Sequence, residues 1–155
     1  MPVAVSVRQA GPFDAQALAA LHRSCFARAW DEAALLQFAA SPQALCLIGA
    51  IAGDAGGDAG ESAAGFLIAR KAGDEAEILS LGVVPSCRKM GLGRALLETA
   101  LEHLRASGTK LLFLEVEETN EAALRLYRSF GGEAVGRRER YYDHGADAAI
   151  LSLAL

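Results

Sequence analysis

"VVPSCRKMGLGRALLETALEHLRASG", residues 83–108, is the stretch whose reading decides the fold. A β-branched pair ends a strand, a proline and two cations follow, two glycines stand one residue apart, and an uninterrupted helical pattern begins. The first N–H groups of a helix have no partners inside it and carry a partial positive charge. Glycines at that point leave the backbone bare for an anion, often a phosphate. The stretch therefore predicts a phosphorylated ligand at Met90 to Arg94, at the head of a helix over 93–107.

Strands flank this unit on both sides. "EAEILSLGVV" (75–84) runs into the loop and "KLLFLEVEE" (110–118) follows the helix. Further upstream, "VAVSVRQA" (3–10) alternates as a half-buried strand. In "DAQALAALHRSCFARAW" (14–30), Leu18, Leu21, Cys25 and Phe26 recur at helical spacing behind Asp14 as N-cap. "DEAALLQFAA" (31–40) makes a second helix that stops before Pro42, which leaves "FARAW" (26–30) as an exposed corner. "ALCLIGAI" (44–51) and "AAGFLIAR" (63–70) read as strands joined by the solvated, glycine- and aspartate-dense "AGDAGGDAGES" (52–62). "TNEAALRLYRSFGG" (119–132) is a helix with Thr119 or Asn120 as N-cap and Gly131 at its end. The tail 137–155 reads as two strands around a turn at His144 to Ala146. The order is mixed β and α.

A chain of 155 residues suits one domain, here 1–155, and is short for two. The 52% hydrophobic and 22% charged content describes an ordinary globular protein. The longest apolar run, residues 44–53, is about half of what a bilayer needs and reads as a buried strand. The N-terminus lacks a basic lead and an apolar core of signal length, so a cytoplasmic protein with no membrane contact is expected. Three cysteines without CxxC spacing and three scattered histidines imply neither disulfides nor a metal. A net charge of -4 argues against direct nucleic-acid binding.

A dinucleotide-binding unit fits this pattern poorly. Its G-x-G-x-x-G would follow the strand at once, whereas "GLGRAL" places Leu96 at the third glycine and "PSCRK" intervenes. A P-loop fails because no glycine precedes Lys and then Ser or Thr. What remains is Arg88-x-x-Gly91-x-Gly93 after a strand, with an ordinary glycine-bearing turn as the bland alternative.

On Arg88, Gly91 and Gly93 the sequence resembles the GNAT superfamily of acyl-CoA-dependent N-acetyltransferases, whose signature is [Arg/Gln]-x-x-Gly-x-[Gly/Ala] at this turn. The resemblance to its RimI-like branch, the ribosomal-protein-alanine N-acetyltransferases, extends through 111–132 and 137–155 and is thinner in the first half. It implies an α/β, mixed α+β fold: a central mixed sheet of six to seven strands, splayed between 75–84 and 110–118, with about four helices. It implies acetyl-CoA as cofactor and no metal. The backbone of Leu81, Gly82 and Val83 would hold the pantetheine arm and polarise the thioester. Arg88, Lys89 and Met90, with Gly91, Leu92, Gly93 and Arg94, would cradle the pyrophosphate, and Asn120 would contact the cofactor.

Acetyl transfer to an amine needs a neutral amine, a stabilised oxyanion and a proton for the departing thiolate. Glu115 shares a strand face with Phe113 and Glu117, opposite Leu112, Leu114 and Val116, and reads either as a plain charged strand-end residue or as a base. The resemblance assigns it the base. Tyr127 belongs to the apolar face of its helix and reads as a core tyrosine or as an acid that stays protonated at neutral pH. The resemblance assigns it the general acid. Cys87, followed by Arg88 and Lys89, offers a rival covalent route, but no histidine neighbours it in sequence and the family transfers directly in a ternary complex. His144 beside Asp143 reads as a solvated turn residue.

The resemblance implies a protein N-terminus as acceptor, beginning with alanine and belonging to a small-subunit ribosomal protein. It would lie between the corner and the last hairpin, walled by Trp30, Tyr141 and Tyr142, which read equally as fold packing. The sequence departs from the branch in three places. Arg28 and Ala29 stand where a proline is usual beside the tryptophan, Gly131-Gly132 replaces Gly-Phe, and Val84 replaces an acid. A small-molecule amine acceptor and a non-catalytic acyl-CoA-binding module remain as alternatives.

Overall fold

A computed structural model of the chain describes residues 4–52, 62–142 and 145–155. Most of the 52–62 loop and the pair Asp143 and His144 lie outside the described residues. The strands are β1 (Val5–Gln9), β2 (Ala44–Ile51), β3 (Ser62–Ala72), β4 (Glu75–Val83), β5 (Leu111–Glu117), β6 (Glu133–Arg138) and β7 (Ala148–Ala154). They form one seven-stranded sheet in the order β1-β2-β3-β4-β5-β7-β6. Four α-helices accompany it: α1 (Ala15–Cys25), α2 (Glu32–Ala40), α3 (Leu92–Ala106) and α4 (Glu121–Ser129).

The continuous apolar runs of β2 and β3 follow from burial on both faces. Alternate residues of β3 split between two cores: Leu67 and Ala69 pack toward α3, while Phe66 and Ile68 join Leu18 of α1 and Leu35 of α2. Leu92, Leu96, Leu97, Ala100, Leu101 and Leu104 form the buried stripe of α3. Its first turn sits close on the sheet, because a methyl group at Gly49 would lie 2.7 Å from Leu92 Cδ1. That contact fixes where the head of α3 meets the strands.

A side-chain cap starts α2 but not α1. Asp31 accepts the Ala34 N–H at 2.8 Å and starts α2. Asp14 occupies the N-cap of α1 but makes no cap bond there. Its carboxylate turns back to the Gly11 N–H at 2.9 Å and to Arg8, so it closes the preceding 3-10 turn instead.

Strands β4 and β5 run parallel and pair only from Glu75↔Leu111 to Ile78↔Leu114. At that level β4 carries a bulge: Ile68 pairs with Ser80 and Ala69 with Ile78, leaving Leu79 as the extra residue. A bulge bends its strand and increases the local twist, which carries the rest of β4 away from β5. The sheet splays there, between the two strands expected from the resemblance.

Candidate active site

A groove of about 780 Å³ fills the splay. Leu79, Ser80 and Leu81 of β4 line one wall and Leu114, Glu115 and Val116 of β5 the other. Asn120 and Tyr127 line it from the α4 side, Phe26 from the corner after α1, and Tyr141 and Tyr142 from the segment after β6. Residues distant in sequence, Glu115, Asn120, Tyr127, Tyr141 and Tyr142, thus share one cavity.

Glu115 takes its orientation from β5, whose Leu112, Leu114 and Val116 are buried in the α3 core while the alternate residues face the groove. Its Oε1 lies 2.8 Å from Arg138 Nε. The Arg138 guanidinium stands 5.2 Å from the centre of the Tyr141 ring. A hydrogen bond to Glu115 is the main cause that raises the Tyr141 phenol above its usual pKa. Tyr142 meets Tyr141 edge to face at 5.2 Å, and burial pushes its own hydroxyl up to about 12. The carboxylate therefore sits between a cation and a phenol, a tie that brings β6 and the residues after it to the groove. Arg138 escaped the sequence reading because its partner is remote in sequence.

Tyr127 is 6% exposed and packs in the α3 core while still lining the groove. Burial, with Tyr142 nearby, raises its phenol well above the ordinary tyrosine value, so the hydroxyl keeps its proton at neutral pH. Asn120 is the N-cap of α4: its Oδ1 accepts the Ala123 N–H at 3.1 Å. The amide NH₂ of the same side chain remains a donor toward the groove that Asn120 lines.

The loop at the head of α3 fits a phosphate-bearing ligand. Gly91 is the N-cap with φ +86, a left-handed conformation that favours glycine. The first bond within the helix runs from Ala95 N to Gly91 O at 3.1 Å, so the N–H groups of Leu92, Gly93 and Arg94 have no acceptor inside it. A methyl group at Gly91 would meet nothing within 4 Å, and one at Gly93 only Leu126 at 3.8 Å and Val83 at 4.0 Å. The loop is bare toward solvent and cationic at Arg88 and Lys89, with Met90 40% exposed beside them. Two cations are already engaged: Arg88 Nε donates to Val83 O at 3.0 Å, and Arg94 donates to Ser129 Oγ at 3.0 Å and stacks 4.9 Å over Phe130. Each keeps further guanidinium N–H groups. Gly82 is glycine for packing, since a methyl there would lie 2.9 Å from both Cys25 Sγ and the Phe66 ring.

Val84 N–H goes to Ala64 O of β3 at 2.8 Å. By strand alternation the N–H and C=O groups of Val83 and Leu81 then face away from β3, toward the splay. Cys87 ends a 3-10 turn and packs against the α3 core, away from the groove lining.

The structure places Trp30 elsewhere than at the groove wall. Its ring stacks between His22 at 4.8 Å and Phe38 at 5.2 Å. Phe26, 39% exposed, is the aromatic of that corner that reaches the groove. No helix among the described residues is long and apolar enough to cross a membrane, and no group of three or more potential metal ligands forms among them.

The acetyltransferase (GNAT) family profile matches residues 15–131. The chain belongs to the GNAT acetyltransferase family. Its splayed seven-stranded sheet with four helices is the GNAT fold. Over 95 residues it is 39% identical to the [ribosomal protein bS18]-alanine N-acetyltransferase of Escherichia coli (strain K12), covering 59% of this chain and 64% of that enzyme. Over 78 residues it is 44% identical to the N-alpha-acetyltransferase RimI of Mycobacterium tuberculosis, covering 50% of this chain and 48% of the relative. The matched part thus spans less than two thirds of the length of these curated GNAT relatives. The crystal structure of the E. coli ribosomal-protein-S18-alanine N-acetyltransferase superposes with a TM-score of 0.83 at 28% identity, over 97% of this chain and 94% of that one. The crystal structure of Arabidopsis thaliana NAA60 in complex with acetyl-CoA shares the fold with a TM-score of 0.82 at 20% identity, over 98% of this chain and 99% of that one.

Proposed function

We propose that this chain is a single-domain, cytoplasmic N-acetyltransferase that moves the acetyl group of acetyl-CoA directly to the α-amino group of a protein N-terminus beginning with alanine, of the kind its E. coli relative is named for, a small-subunit ribosomal protein. The observation that carries the reading is the groove through the splay, which brings Glu115 and Tyr127 to one cavity beside the bare head of α3.

When bound, acetyl-CoA supplies the acetyl thioester. The N–H groups at the head of α3, with Arg88 and Lys89, bind its pyrophosphate, and the groove-facing amides of Leu81 and Val83 receive the pantetheine and the carbonyl oxygen. An α-amino group has a reference pKa near 7.7 to 8.0, against about 10.4 for lysine, so a modest base suffices to neutralise it. Glu115, held by Arg138, accepts that proton at Oε1 or Oε2, through water where the acceptor stands back. Tyr127 Oη keeps its proton ready for the sulfur that leaves. Tyr141 and Tyr142 flank the acceptor at the mouth.

Thiol release from acetyl-CoA with three acceptors tests this: a basic peptide with a free N-terminal alanine, its N-terminally blocked lysine-containing twin, and a pool of small amines. Turnover confined to the free-alanine peptide is expected. Turnover only with the small amines overturns the acceptor assignment and keeps the chemistry, while CoA binding without turnover on any amine overturns catalysis itself.

A further inference from the structure

The chemistry proposed above leaves a buried imidazole unused. His22 of α1 is 3% exposed, with Phe26, Trp30 and Phe66 rings centred 4.8, 4.8 and 5.1 Å away. The Trp30 backbone N–H donates to His22 Nδ1 at 3.1 Å, so Nδ1 carries the lone pair. A neutral imidazole has one N–H, which must then be on Nε2, and Nε2 lies 3.1 Å from Ser80 Oγ. His22 therefore donates and Ser80 accepts. The hydroxyl hydrogen of Ser80 has no partner among the described residues, and Ser80 lines the groove.

The bulge at Leu79 decides where that hydroxyl points. Leu79 packs with the α1 and α2 core and Ser80 meets His22 on the same side, while Leu81 returns to the α3 core. Ser80 and Glu115 thus flank the gap on one face of the sheet, the face of Phe26 and Tyr141, whereas the head of α3 and Tyr127 lie on the other. A ligand group that reaches Ser80 is accordingly part of the acceptor.

We infer that Ser80, oriented by His22, donates a hydrogen bond to the carbonyl oxygen adjacent to the reacting amine, so that the site selects an α-aminoacyl group over a plain alkylamine. An amine over Glu115 with an acyl oxygen on its α-carbon satisfies a base and a donor on opposite walls of the gap; an amine without that oxygen leaves the donor unpaired. His22 acts through Ser80 as a positioning residue, tying the corner at Trp30 to the wall of the groove. The inference rests on the reading of this groove as the acceptor site of an N-acetyltransferase.

Steady-state kinetics with two acceptors tests it: a peptide with a free N-terminal alanine, and its twin carrying an E-alkene isostere at the first peptide bond, in which CH=CH takes the place of that carbonyl and the N–H beside it. Ser80→Ala should raise KM for the peptide by roughly 5- to 100-fold with kcat changed little, and should leave KM for the isostere within about 2-fold. His22→Gln, which keeps one acceptor and one donor in place, should preserve the preference for the peptide, while His22→Leu should lose it as Ser80→Ala does. An equal rise in KM on both acceptors, or none on either, overturns the inference and leaves the acetyltransferase reading standing. Failure of the wild-type protein to acetylate either peptide overturns that reading and the inference with it.

Discussion

In the proposed reaction a single hydroxyl, that of Tyr127, is asked to do chemistry from inside a core. Burial keeps it protonated, and Phe would fill the same volume without the oxygen, so Tyr127→Phe isolates the proton from the packing. We expect turnover to fall by roughly 10²- to 10⁴-fold with CoA affinity nearly unchanged, measured by thiol release and by titration calorimetry. Wild-type turnover would remove Tyr127 from the reaction. His22 carries a pH dependence of a different kind. Burial lowers its pKa in the folded state, so it is neutral there and charges more readily in the unfolded chain. The unfolded state then binds more protons below about pH 6.5, and stability falls as pH drops below that value, by up to about 1.4 kcal/mol per pH unit, until the folded-state pKa is reached. Urea midpoints between pH 7 and 5 should show a slope for wild type that shrinks in His22→Gln.

The N-cap of α4, Asn120, joins a structural role to the binding role proposed for it. Asn120 Oδ1 caps the helix, which leaves its NH₂ as the only part free to meet a ligand. Asp at this position caps equally well and lacks the NH₂, whereas Ala lacks both. Asn120→Asp should therefore hold the unfolding midpoint and weaken CoA binding, and Asn120→Ala should lose about 1 kcal/mol of stability as well. Equal CoA affinity in Asp and wild type would confine Asn120 to capping. Most elements were legible before the structure: periodicity, caps and turn residues placed the helices and every described strand but β6 to within a residue or two, because those signals are local; β6 (Glu133–Arg138) begins four residues before the first strand read in the tail 137–155, because its residues are all exposed and carry no burial alternation. Glu115, Asn120 and Tyr127 were legible through the resemblance, since motif spacing carries them. The Arg138 tie to Glu115, the His22 bond to Ser80 and the withdrawal of Trp30 into the corner were not, because each depends on which distant segments the sheet order brings together. The same holds for Asp14, where two competing acceptor roles, cap of α1 and partner of Gly11 and Arg8, are indistinguishable until geometry chooses.

Across the molecule, the groove cuts the sheet into a β1 to β4 half and a β5 to β7 half, with Phe26 and Tyr141 on one face and the head of α3 on the other. A ligand that spans the cut touches both halves and adds contacts the protein cannot make alone. CoA at about 100 times its Kd should raise the unfolding free energy by about 2.7 kcal/mol. For a chain of this size that corresponds to roughly 5–10 °C in Tm, read by scanning calorimetry. A Tm indifferent to CoA would mean that the groove does not take it.

The short parallel join between β4 and β5, which ends at Ile78 and Leu114, also has a signature in deuterium uptake. A strand in the middle of a sheet ordinarily protects its amides on both sides, yet β4 beyond the bulge is covered on one side only. Val84, bonded to Ala64, should exchange slowly, while Leu81 and Val83, facing the gap, should exchange at rates closer to those of a loop. The label would then alternate along consecutive residues of a central strand, and the fast positions would mark the edge that a bound thioester arm closes.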